Sequence, residues 1–283
     1  MIFGSGIVST PQDFGNQGHL PSHPELLDWL AKYFVSHDWD LKRLLKTMLL
    51  SGFYRQSSLN EVAQAVDGEN VLLTRYPKNR LSAEMTRDQV LVHSGLLVDQ
   101  IGGRSVKPYL PPGVWTGASG GSYKRDNGDK LYRRSLYTYW RRTFPPPNMM
   151  IFDTPQRSVC TVQRRNSLTP LQALVLMNDK QYAKGYKIFA QRLVKTYGDD
   201  IDARFVACFR MATSRMPEDA ELKILINLYK QQLEIYKADP DQTKQALAVG
   251  DTQVDATVAM AQVAASAAVV GVVMNIDEAI YKY

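Results

Sequence analysis

Residues 257–276 run for twenty positions without a charged side chain, and this constrains the fold more than any other feature of the chain. An uncharged stretch of that length either crosses a bilayer or lies inside a protein. Its many alanines, the polar Gln262 and Ser266 within it, and the lack of a basic cluster at either end argue for a packed interior helix and against a membrane span. A chain of 283 residues, 45% hydrophobic and 22% charged, has enough apolar material to build a core around such a helix.

The rest of the helical pattern is read from apolar spacing and from caps. Leu26, Leu27, Leu30 and Phe34 recur at helical spacing over residues 24–36, with Ser22 as the expected N-cap and Glu25 completing a capping box. Asp40 caps a second helix over 41–50, which makes a helical hairpin with the first. Ser82 caps a third, 83–98, ended by Gly102 and Gly103, in which Glu84, Arg87 and Asp88 form a solvated face. Thr169 and Pro170 start a helix whose residues 171–177 are apolar nearly all round and therefore expected to be buried. Helices over 181–197, 201–213 and 218–236 follow, the last with Leu222, Leu225, Ile226, Leu228, Leu233 and Ile235 as core positions.

Between the helical halves, 1–103 and 170–283, lies a basic, loop-rich segment, 104–169. It holds twelve basic residues against three acidic ones, a surplus of +9 in a chain of net charge +6, so any anionic partner is expected near it. Arg133, Arg134, Arg141, Arg142, Arg157, Arg164 and Arg165 are interleaved with Tyr137, Tyr139 and Trp140. The aromatic content of residues 131–142 leans towards a strand, although a helix stays open. Pro145 to Pro147 break either element and suit a short polyproline run, and residues 149–152 read as a buried extended segment. Trp115, in the long loop 108–122, either anchors that loop or stacks on a ligand, and Asp153 before Thr154 and Pro155 reads as a turn residue. The expectation is a mainly α, multi-helix domain with a loop-rich, basic insertion that can hold β structure.

Several chemistries lack their residues. Cys160 and Cys208 form neither CxxC nor CxxCH, which leaves no zinc ribbon and no covalent haem site in this chain; both read as buried free thiols. His19 and His23 have a metal-like spacing, but Pro21 and Pro24 prevent the helix that would align them. The candidate acid–base groups Glu84, Asp88, His93, Asp153 and Asp179 show no spacing that joins two of them into a working pair. The first fifteen residues have no basic and then apolar pattern of a secretory signal.

Long strings along the chain are familiar together: GIVSTPQDFGNQGHLPSHPELLDWLA, FYRQSS, RLSAEMTRDQVL, IGGRSVKPYLPPGVW, LYRRSLYTYWRRTFPPPNMMIFDTP, RSVCTVQRRNSLTPLQALVLMND and MNIDEA. In this order they resemble the domain-of-unknown-function family 1553, the C-terminal domain of large planctomycete-type proteins that usually begin with a cytochrome c module. The resemblance covers nearly the whole chain. It implies an exported protein of the periplasm or cell envelope, haem c held only by upstream domains, a setting of polysaccharide breakdown, and no established activity for this domain. The chain then looks like a C-terminal fragment or a shortened relative.

Two roles for the arginines follow. They can recognise an anion, such as an acidic polysaccharide or an acidic face of the upstream domains, with Trp115, Tyr137, Tyr139 and Trp140 stacking on sugar rings or guanidinium planes. Alternatively they are held by internal carboxylates and carbonyls and lock the loop-rich segment in place. A non-catalytic binding module is the first functional expectation and an enzyme of unknown reaction the second. Nucleic-acid binding is disfavoured, because the basic stripe carries no recognised nucleic-acid-binding motif.

Overall fold

A computed structural model describes residues 2–111, 113 and 123–282. Trp115 therefore lies outside the described residues. The fold is mainly α-helical, with twelve α-helices among these residues and a sheet of two short strands. The chain divides into two compact units, one comprising Met1–Arg80, Thr161–Gln163 and Tyr281–Tyr283 and the other Leu81–Cys160 with Arg164–Ile280.

The first unit carries helices α1 (Pro24–Ser36), α2 (Leu41–Leu49) and α3 (Glu61–Val66). Asp40 caps α2 as expected, accepting from the Arg43 amide at 3.0 Å. Ser22 does not cap α1. His23 holds that position without a side-chain bond, and the Ser22 hydroxyl donates to the Ile7 carbonyl at 3.2 Å, so Pro24 at the first helical position is the start signal. Strand β1 (Asn79–Arg80) pairs antiparallel with β2 (Tyr281–Lys282), Asn79 opposite Lys282. Beside it the Lys282 ammonium sits 4.0 Å from the Tyr54 ring centre, and the buried Tyr76 donates its hydroxyl to the Ile2 carbonyl at 2.6 Å.

The second unit is built on α4 (Ala83–Ser94), α7 (Lys180–Tyr197) and α11 (Met260–Val273). Packing α7 on both α4 and α11 explains why it buries more of its surface than an amphipathic stripe would. Val263, Ala264, Ala265, Ser266, Val269, Val270 and Val273 of α11 are buried, so the middle of the charge-free stretch, Met260–Val273, is an interior helix. No helix among the described residues is long and apolar enough to cross a membrane. Arg204, fully buried in α8 (Ile201–Thr213), donates to Ser266 Oγ at 3.2 Å, which accounts for the hydroxyl inside that apolar helix. Helices α9 (Asp219–Ala238), α10 (Pro240–Leu247) and α12 (Asp277–Ile280) complete this bundle.

Several expectations are corrected. Helix α4 stops at Gly95, whose φ of 76° provides the left-handed cap, well before Gly102. Residues 128–137 form two 3-10 turns, Gly128–Tyr132 and Ser135–Tyr137, and not a strand; only isolated bridges, such as Val98 with Arg133 and Val106 with Thr138, remain of the extended pattern. Pro147 opens α5 (Pro147–Ile151), so residues 149–151 are helical, because a proline suits the first turn of a helix as well as it ends a preceding element. In α6 (Pro170–Asn178) only Gln172 and Leu176 are buried; Leu171, Leu174 and Met177 face outward. Of the six core positions expected in α9 only Leu225 is buried, and Cys160 is exposed while Cys208 is buried.

Candidate functional site

The close approach of α4 and α7 decides which side chains meet in the second unit. A Cβ at Gly185 of α7 would lie 2.2 Å from Val90 Cγ1, so the glycine permits the contact. That approach seats the Arg87 guanidinium between the helices, with its residue only 5% exposed. Nε donates to Gln181 Oε1 at 2.9 Å. One terminal nitrogen donates to the Arg133 carbonyl at 3.1 Å and to Ser135 Oγ at 3.0 Å, and the other to the Leu131 carbonyl at 2.8 Å. A guanidinium has five N–H groups, so one on that last nitrogen exceeds its partners among the described residues. The expectation of a solvated Arg87 is thereby overturned. Burial pulls its pKa below the usual range, and Asp88, 3.8 Å away, pushes it back.

Asp88 has a separate task. Its Oδ1 accepts from the Ser135 amide at 2.7 Å and the Ser135 hydroxyl at 2.6 Å, fixing the second 3-10 turn to α4. Asp179 caps α7 through the Gln181 amide at 2.8 Å, and burial raises its pKa.

Next to Arg87 a cleft of about 190 Å³ opens, with Arg87, Lys180, Lys184, Arg125 and Asp251 on its walls. Lys184 is 7% exposed, and its ammonium donates to the Tyr132 hydroxyl. Lys187, one turn further along α7, is buried and donates to the carbonyls of Leu247 at 3.0 Å, Val249 at 2.7 Å and Thr252 at 2.6 Å. Those bonds hold the loop that brings Gly250 and Asp251 to the cleft. Burial, reinforced by Lys184, lowers the Lys187 pKa from its ordinary value. Asp251, the single carboxylate on the walls among the described residues, is engaged by Arg125 at 3.0 Å.

None of the eleven described candidates from the sequence lines this cleft. Arg133 is buried, donates to the carbonyls of Gln100, Gly102 and Arg104 at 2.8, 2.5 and 2.9 Å, and stacks 3.8 Å from the Tyr137 ring centre. Arg164 grips Glu84 through two bonds of 2.7 and 3.1 Å, Arg134 meets Asp99 at 2.9 Å, and Arg157 lies 4.4 Å over the Trp140 ring. Tyr139 has the Lys107 ammonium 4.9 Å from its ring centre. Asp153, at φ 59°, takes the amide and hydroxyl of Ser167 at 2.8 and 2.9 Å, a turn role. Arg141 is half-buried in a tight turn bridged to Phe144, whereas Arg142 and Arg165 are exposed and have no ion pair among the described residues.

Lys180, Lys184 and Asp251 on the cleft walls were not among the sequence candidates, and Arg87 was expected on a solvated face. One signal was present. Lys180, Lys184 and Lys187 lie at i, i+4 and i+7, which places three cations on one helical face. Among the described residues no three His, Cys, Asp or Glu side chains gather as metal ligands, and Glu84, His93 and Asp153 are absent from the cleft walls.

No curated protein and no solved structure matches the chain. A family model, described as a protein of unknown function (DUF1553), matches residues 1–229, which include α4, α7 and all the cleft cations but not Gly250 and Asp251. With four-fifths of its length inside that match, the chain belongs to the DUF1553 family.

Proposed function

We propose that the chain is a non-catalytic binding module that recognises an anionic group in the cleft between α4, α7 and the Gly250–Asp251 loop. One observation carries this reading. Arg87 and Lys184 are both buried cations on the walls of an open cleft, and Asp251, the one carboxylate on those walls among the described residues, is already engaged by Arg125. Lys184 has no ion pair among the described residues, and the nearest carboxylate to Arg87, Asp88 at 3.8 Å, is bonded to Ser135, so an anion entering the cleft would relieve the cost of burying these cations. The two partners expected from the sequence, an acidic polysaccharide and an acidic face of neighbouring domains, both offer such a group. The motif resemblance supports a setting in the cell envelope, as part of a larger planctomycete-type, cytochrome-associated protein in which haem is held elsewhere.

The test is a titration of the full chain with phosphate, glucuronate and benzoate in turn, followed by backbone amide shifts. Saturable shifts at Gly250, Asp251 and Gln181 for at least one anion, weakening with added salt, are expected. If no anion moves these amides, the cleft is not the binding site.

A further inference from the structure

The chemistry of the cleft walls also selects among anions, and this inference rests on the anion-site reading above. The charged groups supply hydrogen-bond donors: the fifth N–H of Arg87, two N–H groups of Lys184 beyond the one given to Tyr132, and the ends of Lys180 and Arg125. Side-chain acceptors are few on the described walls, and each already takes a bond. Gln181 Oε1 takes the Arg87 Nε, its amide nitrogen donates to the Tyr109 carbonyl at 3.1 Å, and Asp251 holds Arg125. The Tyr132 oxygen takes the Lys184 proton.

The remaining walls are apolar. Leu91, Leu96 and Leu131 line the cleft with the rings of Tyr109 and Tyr132. Leu91 and Leu131 are at most 9% exposed, so packing holds their side chains in place. A polyol placed here would set several hydroxyls against walls poor in acceptors, and each hydroxyl left unmet carries a desolvation penalty. A flat apolar body would cover leucine and tyrosine surface without any such penalty. The cleft volume of about 190 Å³ is also small for a ligand site, which favours a single-ring molecule over an oligomer.

We infer that the cleft takes a small organic carboxylate on a flat apolar body, of the benzoate kind, with its carboxylate between Arg87 and Lys184 and its ring against Leu91, Leu96 and Tyr132. A sugar acid presents the same charge on the wrong body.

Calorimetric titration of the full chain with benzoate, glucuronate, phosphate and neutral benzamide at low salt separates the possibilities. Benzoate is expected to bind about tenfold or more tightly than glucuronate or phosphate, with no measurable benzamide binding. The Lys180→Ala variant, which alters an exposed residue and leaves the core intact, is expected to weaken benzoate several-fold. Glucuronate or phosphate binding as tightly as benzoate overturns the ligand class and leaves the anion site standing. Benzamide matching benzoate overturns the need for charge. Absence of binding by every anion overturns the site and the ligand class together.

Discussion

Gly250 rests against the stem of Lys184 so closely that a Cβ on it would stand 2.4 Å from Lys184 Cδ. Its φ of 81° is itself one that side-chain-bearing residues rarely adopt. The loop and the buried lysine therefore fit one another only with glycine at this position, and this fixes where the Lys184 ammonium enters the cleft.

Replacing Gly250 with Ala should strain the loop and displace Lys184 at once. We expect a loss of about 1–3 kcal/mol in denaturant unfolding and at least a tenfold loss in anion affinity. Unchanged affinity in a folded Gly250→Ala chain would show that Lys184 does not hold the anion.

The arginines of the loop-rich segment should divide sharply by environment. Arg133→Ala removes three bonds to carbonyls and a ring contact from a buried site, so a loss of about 3 kcal/mol or more is expected in chemical denaturation. Arg142→Ala, at an exposed site, should stay within about 0.5 kcal/mol of the parent. Similar losses for both would contradict the distinction.

Acid should weaken the fold through His93. Burial, together with Arg192, depresses its pKa below the ordinary value of about 6.5; its Nε2 is buried with no partner among the described residues and its ring lies 5.6 Å from Phe189. Below about pH 6.5 the unfolded chain binds a proton that the folded chain still refuses, so stability falls as pH drops, until the folded form is protonated as well. The His93→Phe variant should show a flatter stability curve between about pH 7 and 5 in denaturant titrations. An equally steep curve in the variant would assign the acid sensitivity to other groups.

The two thiols should differ in reactivity by accessibility and by charge state. Cys208 is fully buried, and burial pushes its thiol up to about 12, whereas Cys160 is exposed. An aromatic disulfide reagent at neutral pH should titrate one thiol promptly in the native chain and the second only on unfolding. Two prompt equivalents would mean that α8 opens readily.

Local signals made most helices legible. Helix α8 spans the residues expected of it because Asp200 caps its start and accepts from the Ala203 amide at 3.0 Å, and Asp40 and Ser82 act in the same way. Residues 257–276 were legible because an uncharged run has few places to go. The 3-10 turns around Arg133 were not, since aromatic residues fit a strand pattern equally well and only the pull of Arg87 and Asp88 on Leu131, Arg133 and Ser135 selects the turns. The cleft was hidden for a related reason. It joins positions 87, 125, 184 and 251, and periodicity shows which face of a helix is apolar without showing which helix covers it or that a cation lies inside. The excess of arginine drew attention to residues 133–165, where most of that charge is engaged in holding the chain together.

Whether the anion site is the cleft or the arginine stretch is decided most directly by one comparison of affinities. Benzoate and glucuronate titrations, read by calorimetry, should be run on the parent chain, on Lys184→Met, and on the double variant Arg142→Ala with Arg165→Ala. Loss of binding by tenfold or more in Lys184→Met, with the double variant within about twofold of the parent, is the predicted result. Retained binding in a folded Lys184→Met chain, together with loss in the double variant, would move the site back to the exposed arginines and contradict the cleft.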